Sequence, residues 1–276
     1  NPGPDWNGDV RMGDNLYSDA AMAINHDTGG LEWYFQFTPH DVHDWDAIQV
    51  PILADMDWEG ESRKVMMWAN RNAFFYVIDR ETGEFLLGEP FAQQTWAEGL
   101  DSNGRPIRVP NTAPNAEGVI VSPPVAGATN WFSPAYSPDT GLFYVQAYDG
   151  EDRYFKRDEE YSEGDQFTGG GFERPLPLDE YHSAVRAIDP TNGEIRWEYP
   201  LQPRSTGGML ATAGDLVFTG SIDGYFLALD AETGEELWHM NVGRLVHSAA
   251  VTYAVDGQQY VAIAAGNVVY SFGLPE

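Results

Sequence analysis

Four stretches of this chain follow one pattern, and that repetition constrains the fold more than any other feature. They are AINHDTGGLEW (residues 23–33), VIDRETGEFLL (77–87), AIDPTNGEIRW (187–197) and ALDAETGEELW (228–238). In each, an apolar run ends at Asp or Asn. A tight turn with Thr-Gly or Asn-Gly follows, because Gly and Asn tolerate positive φ. A second run then closes on a large apolar residue, usually Trp. Each stretch therefore reads as a β-hairpin. The Asp or Asn positions 25, 79, 189 and 230 lie 54, 110 and 41 residues apart. The gap of 110 is about two units, so a degenerate unit is expected inside it, with SPDTGLFYV (137–145) as a further hairpin.

Four-stranded units recurring every ~40–55 residues are the signature of a β-propeller, with the turn Trp lodged between neighbouring blades. The strand signals LVFTG, YFLALD, YVAIAA and VVYSF fit an all-β chain, and no amphipathic helix pattern competes with them. We expect one propeller segment over residues 1–276, with about four to five blades. Two long stretches, 89–124 and 149–178, look too long for hairpin loops and are expected to be functional or mobile. The TGGG in the second lacks a P-loop lysine and a strand–loop–helix context, which argues against phosphate binding.

Composition removes several function classes. Fifteen basic and 43 acidic residues leave a net charge of −28, which argues against nucleic acid and anionic membrane surfaces as partners. The absence of cysteine excludes disulfides, thiolate metal sites, thiol nucleophiles and covalently attached haem. No run of about 18 apolar residues is present. The chain opens on NPGPDW without an initiator Met or a visible signal peptide, and is read as processed or truncated.

The densest group of chemically capable side chains is TPHDVHDWDA (38–47), with two histidines and three aspartates in ten residues. A metal site, a catalytic base and a plain polar loop all remain open from these residues alone. If the segment is extended, Asp44 and Asp46 project to the same side.

Taken together, the repeat, TPHDVHDWD, WANRN, GATNW and ATAGDLVF resemble the quinoprotein alcohol dehydrogenases of the methanol and ethanol dehydrogenase type. The resemblance covers essentially the whole chain. It implies an eight-bladed propeller with pyrroloquinoline quinone (PQQ) on its axis, of which this chain holds the C-terminal half. The N-terminal half of the propeller would then be a missing partner. A lone half would expose blade edges and is expected to be unstable. The resemblance further implies oxidation of a small alcohol to an aldehyde or ketone, with a metal-bound quinone accepting hydride. Electrons would pass to a cytochrome c-type acceptor, and the protein would be periplasmic or secreted.

Site roles are implied in the same way. Asp44 matches the catalytic aspartate, a base beside a cation. Asn1, Asp44 and Asp46 would ligate the metal. An acid at position 46 accompanies lanthanide(III) in place of Ca2+, because a trivalent hard cation favours one more anionic oxygen. His40 reads as structural, and His43 as lining or structural. Arg71 matches the arginine on the quinone oxygens, Asn130 the amide that binds PQQ, and Trp131 either lines that pocket or is core. Thr206 stands where methanol-type enzymes carry Trp, which implies an altered pocket. A glutamate ligand, a stacking Trp and vicinal cysteines would lie upstream. A different class of function stays in view: a non-catalytic propeller scaffold of the outer-membrane assembly lipoprotein type.

Overall fold

Every repeat motif is built around the same side chain-to-backbone lock. In the computed structural model, which describes residues 2–274 apart from the side chain of Leu178, all four motifs form hairpin turns. At the turn starting from Asp79, the carboxylate accepts hydrogen bonds from the N–H groups of Glu81 and Thr82 at 2.9 and 3.0 Å. The Gly83 N–H donates back to the Asp79 carbonyl at 2.8 Å. Asn25, Asp189 and Asp230 repeat the arrangement through Asp27 and Thr28, Thr191, and Glu232 and Thr233. Short acceptors on Asp and Asn reach the backbone two and three residues on, which is why these residues open the turn. A register shift sits just before each turn, at residues 23/24, 77/78, 187/188 and 228/229.

The motif tryptophans then dock on the turn of another repeat. Trp33 donates from Nε1 to the Arg80 carbonyl at 3.2 Å, and Trp197 to the Ala231 carbonyl at 3.1 Å. The acceptor is in both cases the residue after the turn aspartate. The Trp33 ring lies over Gly83 and the Trp197 ring over Gly234. The last motif Trp, Trp238, packs edge-on to Phe272 at 5.4 Å instead.

The chain divides into two compact units. The first takes the chain up to Ile48 with Leu53–Ala128 and Asp149–Pro177. It contains the hairpin Ala20–Ile24/Leu31–Gln36 and a four-stranded meander of Ile52–Trp58, Glu61–Ala69, Phe74–Asp79 and Phe85–Pro90. The pair Ala97–Leu100/Pro106–Arg108 and a three-stranded sheet centred on Asp152–Lys156 complete it. The second unit holds two four-stranded sheets, one ordered Ala135–Ser137, Leu142–Asp149, His182–Ile188, Ile195–Leu201, and one running from Leu210 to Asn241. A three-stranded sheet, Val251–Gly273, ends it. Among the described residues, the three four-stranded sheets, with the hairpin at 20–36 and the three-stranded sheet at 251–273 as incomplete ones, match the expected four to five blades; two further small sheets lie in the long stretches.

Two expectations need correction. The 137–145 hairpin is not a separate degenerate unit. It supplies the first two strands of the same sheet that carries the 187–197 motif. The spacing of 110 arises from two long connections: one from Pro90 to Ala135, before that sheet, and one from Asp149 to His182, between its second and third strands. The two long stretches are also not structureless: they carry the small two- and three-stranded sheets of the first unit. Their short strands escaped the period-2 signal because three or four residues give too little alternation to read.

The core of the first unit is aromatic. Phe37, Trp45, Trp96, Tyr76 and Tyr154 are fully buried and contact one another in a single cluster. Trp45 comes from within the histidine- and aspartate-rich loop, so that loop is rooted in the core by its own side chain.

Candidate functional site

The segment from Thr38 to Ala47 is not an extended strand. His40 and Asp44 both have left-handed backbones, with φ of +53° and +64°. The organiser is Asp41, which is 1% exposed. Its two carboxylate oxygens accept hydrogen bonds from the N–H groups of His43 at 3.0 Å and Trp45 at 2.8 Å. Asp44 lies between those two anchored residues. Asp tolerates the left-handed region better than most residues do. The condition under which strand alternation would align Asp44 with Asp46, an extended segment, is therefore not met. A held turn, not a pleat, brings the two acids together.

Both histidines are anchored to the backbone, and His43, open between a lining and a structural role, is fully buried. His40 donates from Nδ1 to the Gly13 carbonyl at 2.8 Å, and a Cβ on Gly8 would lie 2.3 Å from its ring. His43 stacks on Trp45 at 4.3 Å and donates from Nε2 to the Thr112 carbonyl at 2.9 Å. Burial holds its pKa down to about 4, so it is neutral near pH 7.

Arg71 is brought to the acids. Its Nη1 donates to the Asp46 carboxylate at 3.2 Å and its Nη2 to the Val125 carbonyl. It sits in a turn whose neighbours are locked. Asn72 donates from Nδ2 to the Phe37 carbonyl, the Thr38 hydroxyl and the Tyr76 hydroxyl, and accepts from the Phe74 N–H. Gly127 lies against it so closely that a Cβ there would be 2.6 Å from Arg71 Cβ. The guanidinium Nε–H is buried and has no hydrogen-bond partner among the described residues. A buried cationic donor without an acceptor costs stability, so it marks a place where an added oxygen would be favoured.

The electrostatics concentrate negative charge here. Burial, then Asp46, pushes Asp44 up to about 7, with Arg71 opposing. Burial, then Asp41 and Asp46, pushes the unforeseen Asp19 up to about 8. Asp19 is 9% exposed, and its Oδ2 lacks a hydrogen-bond partner among the described residues. Asp5 is also raised, mainly by burial. Asp19 and Asp5 lie outside any motif, so only the folded arrangement reveals them.

The other expected site residues fall elsewhere. Asn130 and Trp131 belong to the second unit. The Asn130 side-chain oxygen accepts from the Trp131 N–H at 2.9 Å. Trp131 is 56% exposed, which excludes a core role. In the same unit Thr206 is hydrogen-bonded to His247 Nδ1. The adjacent Gly207 and Gly208 serve packing, since Cβ atoms there would lie 2.5 Å from the Gly220 carbonyl oxygen and 2.6 Å from Ala249 Cβ. Asn1 lies outside the described residues.

Among the described residues, no three His, Cys, Asp or Glu side chains are grouped to hold a metal. A calcium-sized cation takes about 6–8 oxygen ligands. Asp44 and Asp46 fit such a hard cation in kind, and they provide part of a shell.

Comparison with known proteins bears on these placements. Residues 1–90 match the family model described as glucose/ethanol/alcohol dehydrogenase, beta-propeller domain. Residues 182–273 match a model described as outer membrane protein assembly factor BamB. The chain is similar to the quinoprotein alcohol dehydrogenase PedH of Pseudomonas putida, at 41% identity over 96% of this chain and 46% of that protein. It is similar to 1-butanol dehydrogenase (cytochrome c) of Thauera butanivorans, at 39% identity over 92% of this chain and 38% of that protein. A solved europium-containing methanol dehydrogenase superposes with a TM-score of 0.86 at 30% identity, covering 95% of this chain and 49% of the other. The chain thus spans about half the length or less of these relatives, and the resemblance read from its motifs holds across nearly all of it.

Proposed function

We infer that this chain is a propeller segment of a quinoprotein alcohol dehydrogenase, a PQQ-dependent enzyme that oxidises an alcohol to an aldehyde or ketone. The observation carrying the reading is the convergence of Asp44, Asp46 and Arg71, with the Arg71 Nε–H buried and lacking an acceptor. Bound PQQ would supply the two-electron oxidant and a bound cation the Lewis acid.

This chain's own residues would do the rest. Asp44 takes the proton from the substrate hydroxyl. Burial and Asp46 raise this carboxyl to about 7, and a cation bound beside it would lower it again, keeping Asp44 ionised as a base. Arg71 presents a permanent cation that pairs with Asp46 and donates to cofactor oxygens. Asp46 and Asp44, with Asn1, offer hard oxygen donors. The acid at position 46 favours a lanthanide(III) over Ca2+, and the europium-containing relative supports that choice. Asn130 and the exposed Trp131 supply a hydrogen-bonding amide and an aromatic face to the cofactor. Electrons would leave to a cytochrome c-type acceptor. The similarity to the Thauera 1-butanol dehydrogenase (cytochrome c) supports this, and a charge of −28 would steer a basic partner. A periplasmic or secreted location belongs to the same reading.

The alternative is a non-catalytic propeller module of the BamB type. The two family matches separate the readings. The stretch resembling BamB, 182–273, contains repeats and Trp docking but none of Asp44, Asp46 and Arg71. Those three residues all lie in the stretch that matches the dehydrogenase model. The test is reconstitution of the intact protein with PQQ and either La3+ or Ca2+. PQQ absorbance changes and alcohol-dependent dye reduction are expected. Neither signal under either metal would refute the enzyme and leave the scaffold.

A further inference from the structure

Arg108 makes an unusual use of a permanent charge. It ends the strand Pro106–Arg108, and among the described residues it forms no ion pair. Instead its Nη2 donates to two consecutive main-chain carbonyls, Pro39 at 2.7 Å and His40 at 2.8 Å. The guanidinium lies over the Trp96 ring, 5.7 Å from its centroid. Trp96 is itself fixed: it is fully buried, and its Nε1 donates to the Asn72 carbonyl at 2.9 Å. The next residue is also held, the Val109 N–H donating to the Trp96 carbonyl at 2.8 Å. Arg108 therefore reaches the loop from a rigid base.

What it grips is the turn that sets up the acids. His40 is left-handed, so the carbonyls of residues 39 and 40 can face a single donor group. The next carbonyl, that of Asp41, is taken by Arg11 Nη2 at 2.6 Å. Arg11 also donates to the carbonyls of Pro4 at 3.2 Å and Asp5 at 3.0 Å. Two guanidinium groups thus hold three successive carbonyls immediately before the Asp41 carboxylate, which in turn holds His43 and Trp45 on either side of Asp44. The loop does not need Arg108 merely to stay attached. Trp45 is buried in the aromatic core, donates to the Pro124 carbonyl at 3.1 Å and stacks on His43, which is tied to Thr112. What Arg108 adds is the direction of the 39–40 turn, and through Asp41 the aim of Asp44 and Asp46.

We propose that Arg108 is a positioning residue for the Asp44–Asp46 pair, acting through the carbonyls of Pro39 and His40. This rests on the reading of Asp44 as base and Asp46 as metal ligand. A planar guanidinium stacked on an aromatic face suits the task, because the ring fixes where Nη2 sits; lysine is one atom shorter and lacks the plane that stacks on Trp96.

The experiment uses the intact protein, with Tb3+ as the probe and its sensitised luminescence as the readout. Arg108→Met keeps an unbranched apolar stem and removes the charge and the donors. Arg108→Lys keeps the charge and N–H donors but is one atom shorter and loses the planar stacking on Trp96 that places Nη2. Groups that orient metal ligands from outside the coordination shell typically account for about 10–100-fold in metal affinity or activity. Arg108→Met should weaken Tb3+ binding by that order, and lower kcat for alcohol with KM little changed. Arg108→Lys should recover part of both losses. Circular dichroism and urea unfolding establish that each variant is folded. A folded Arg108→Met protein that binds Tb3+ and turns over like the parent would overturn the proposal. If the Met variant does not fold, the Lys variant decides: parental Tb3+ affinity there refutes it equally. A parent protein that binds no Tb3+ sinks the metal-site reading and this inference with it, a result distinct from an unaltered Arg108 variant.

Discussion

Gly234 and Gly29 occupy the same place in two copies of the repeat, and comparing them measures what tryptophan docking contributes. Both have positive φ, +74° and +71°. Alanine at either site meets the left-handed penalty of about 1–2 kcal/mol, offset by about 0.4–1 kcal/mol from a stiffer unfolded chain. At Gly29 nothing lies within 4 Å of the added Cβ, so Gly29→Ala should cost about 1 kcal/mol. At Gly234 the Cβ would stand 2.5 Å from Trp197 Cε3, against about 3.5–4.0 Å for an ordinary carbon contact. The ring must move by an ångström or so. That breaks the Trp197 Nε1–Ala231 hydrogen bond of 3.1 Å, worth about 0.5–1.5 kcal/mol. It also disturbs the Trp197–Tyr144 ring contact at 5.7 Å, worth about 0.5–1.5 kcal/mol. Gly234→Ala should therefore cost about 2–4 kcal/mol in all. Urea unfolding of the intact protein gives the two values, and hydrogen exchange over residues 225–241 localises the second. In a Trp197→Ala background the Gly234→Ala cost should fall to the Gly29 value. Equal costs at Gly29 and Gly234 in the parent protein would refute the docking argument.

Three other outcomes are expected. Asp44→Asn should lower kcat by about 10²–10⁴, the usual worth of a general base, while PQQ still binds; an unchanged kcat in a dye-reduction assay would remove Asp44 from the chemistry. Asp46→Ala should move metal preference from La3+ toward Ca2+ by more than about tenfold. One extra unit of cation charge ~2.4 Å from a carboxylate is worth about 1.7 kcal/mol even at the permittivity of water, and competition titration of the two metals reads the shift. Glu198 is a third case. Burial raises its pKa, but hydrogen bonds from Arg186 at 2.6 Å and His182 at 2.9 Å outweigh that and hold it below its ordinary value of 4.5. A depressed folded pKa stabilises the protein above about pH 4.5, and that stability fades as pH falls through the folded value. Glu198→Gln should thus be less stable than the parent near pH 6, with the gap closing in acid. A gap that does not narrow as the pH is lowered below 4.5 would contradict the assignment.

The repeat was readable because its physics is local. Asp79, Asp189, Asp230 and Asn25 act on backbone groups two to four residues away, so their signature survives as a short string. The candidate acids were legible for a different reason: TPHDVHDWDA concentrates them, and its motif resembles a known family. How those acids are aimed was not legible. The extended segment that would align Asp44 and Asp46 does not form because the turn depends on Asp41, on Arg11 and on Arg108, which lies 68 residues from His40. Asp19 was passed over because a lone aspartate among 43 acidic residues carries no pattern; only its burial distinguishes it.

By itself, then, the sequence determined the all-β repeat, the approximate number of blades and the residues able to do chemistry, since each follows from contacts within one hairpin or one motif. Tertiary structure alone decided that residues 137–145 and 187–197 share one sheet across an inserted segment. It also decided that Arg71 reaches Asp46, and that the carbonyls of Pro39, His40 and Asp41 are gripped by arginines from elsewhere in the chain. Those are contacts between residues far apart in sequence. Their existence depends on chain reversal and burial, which no short string encodes.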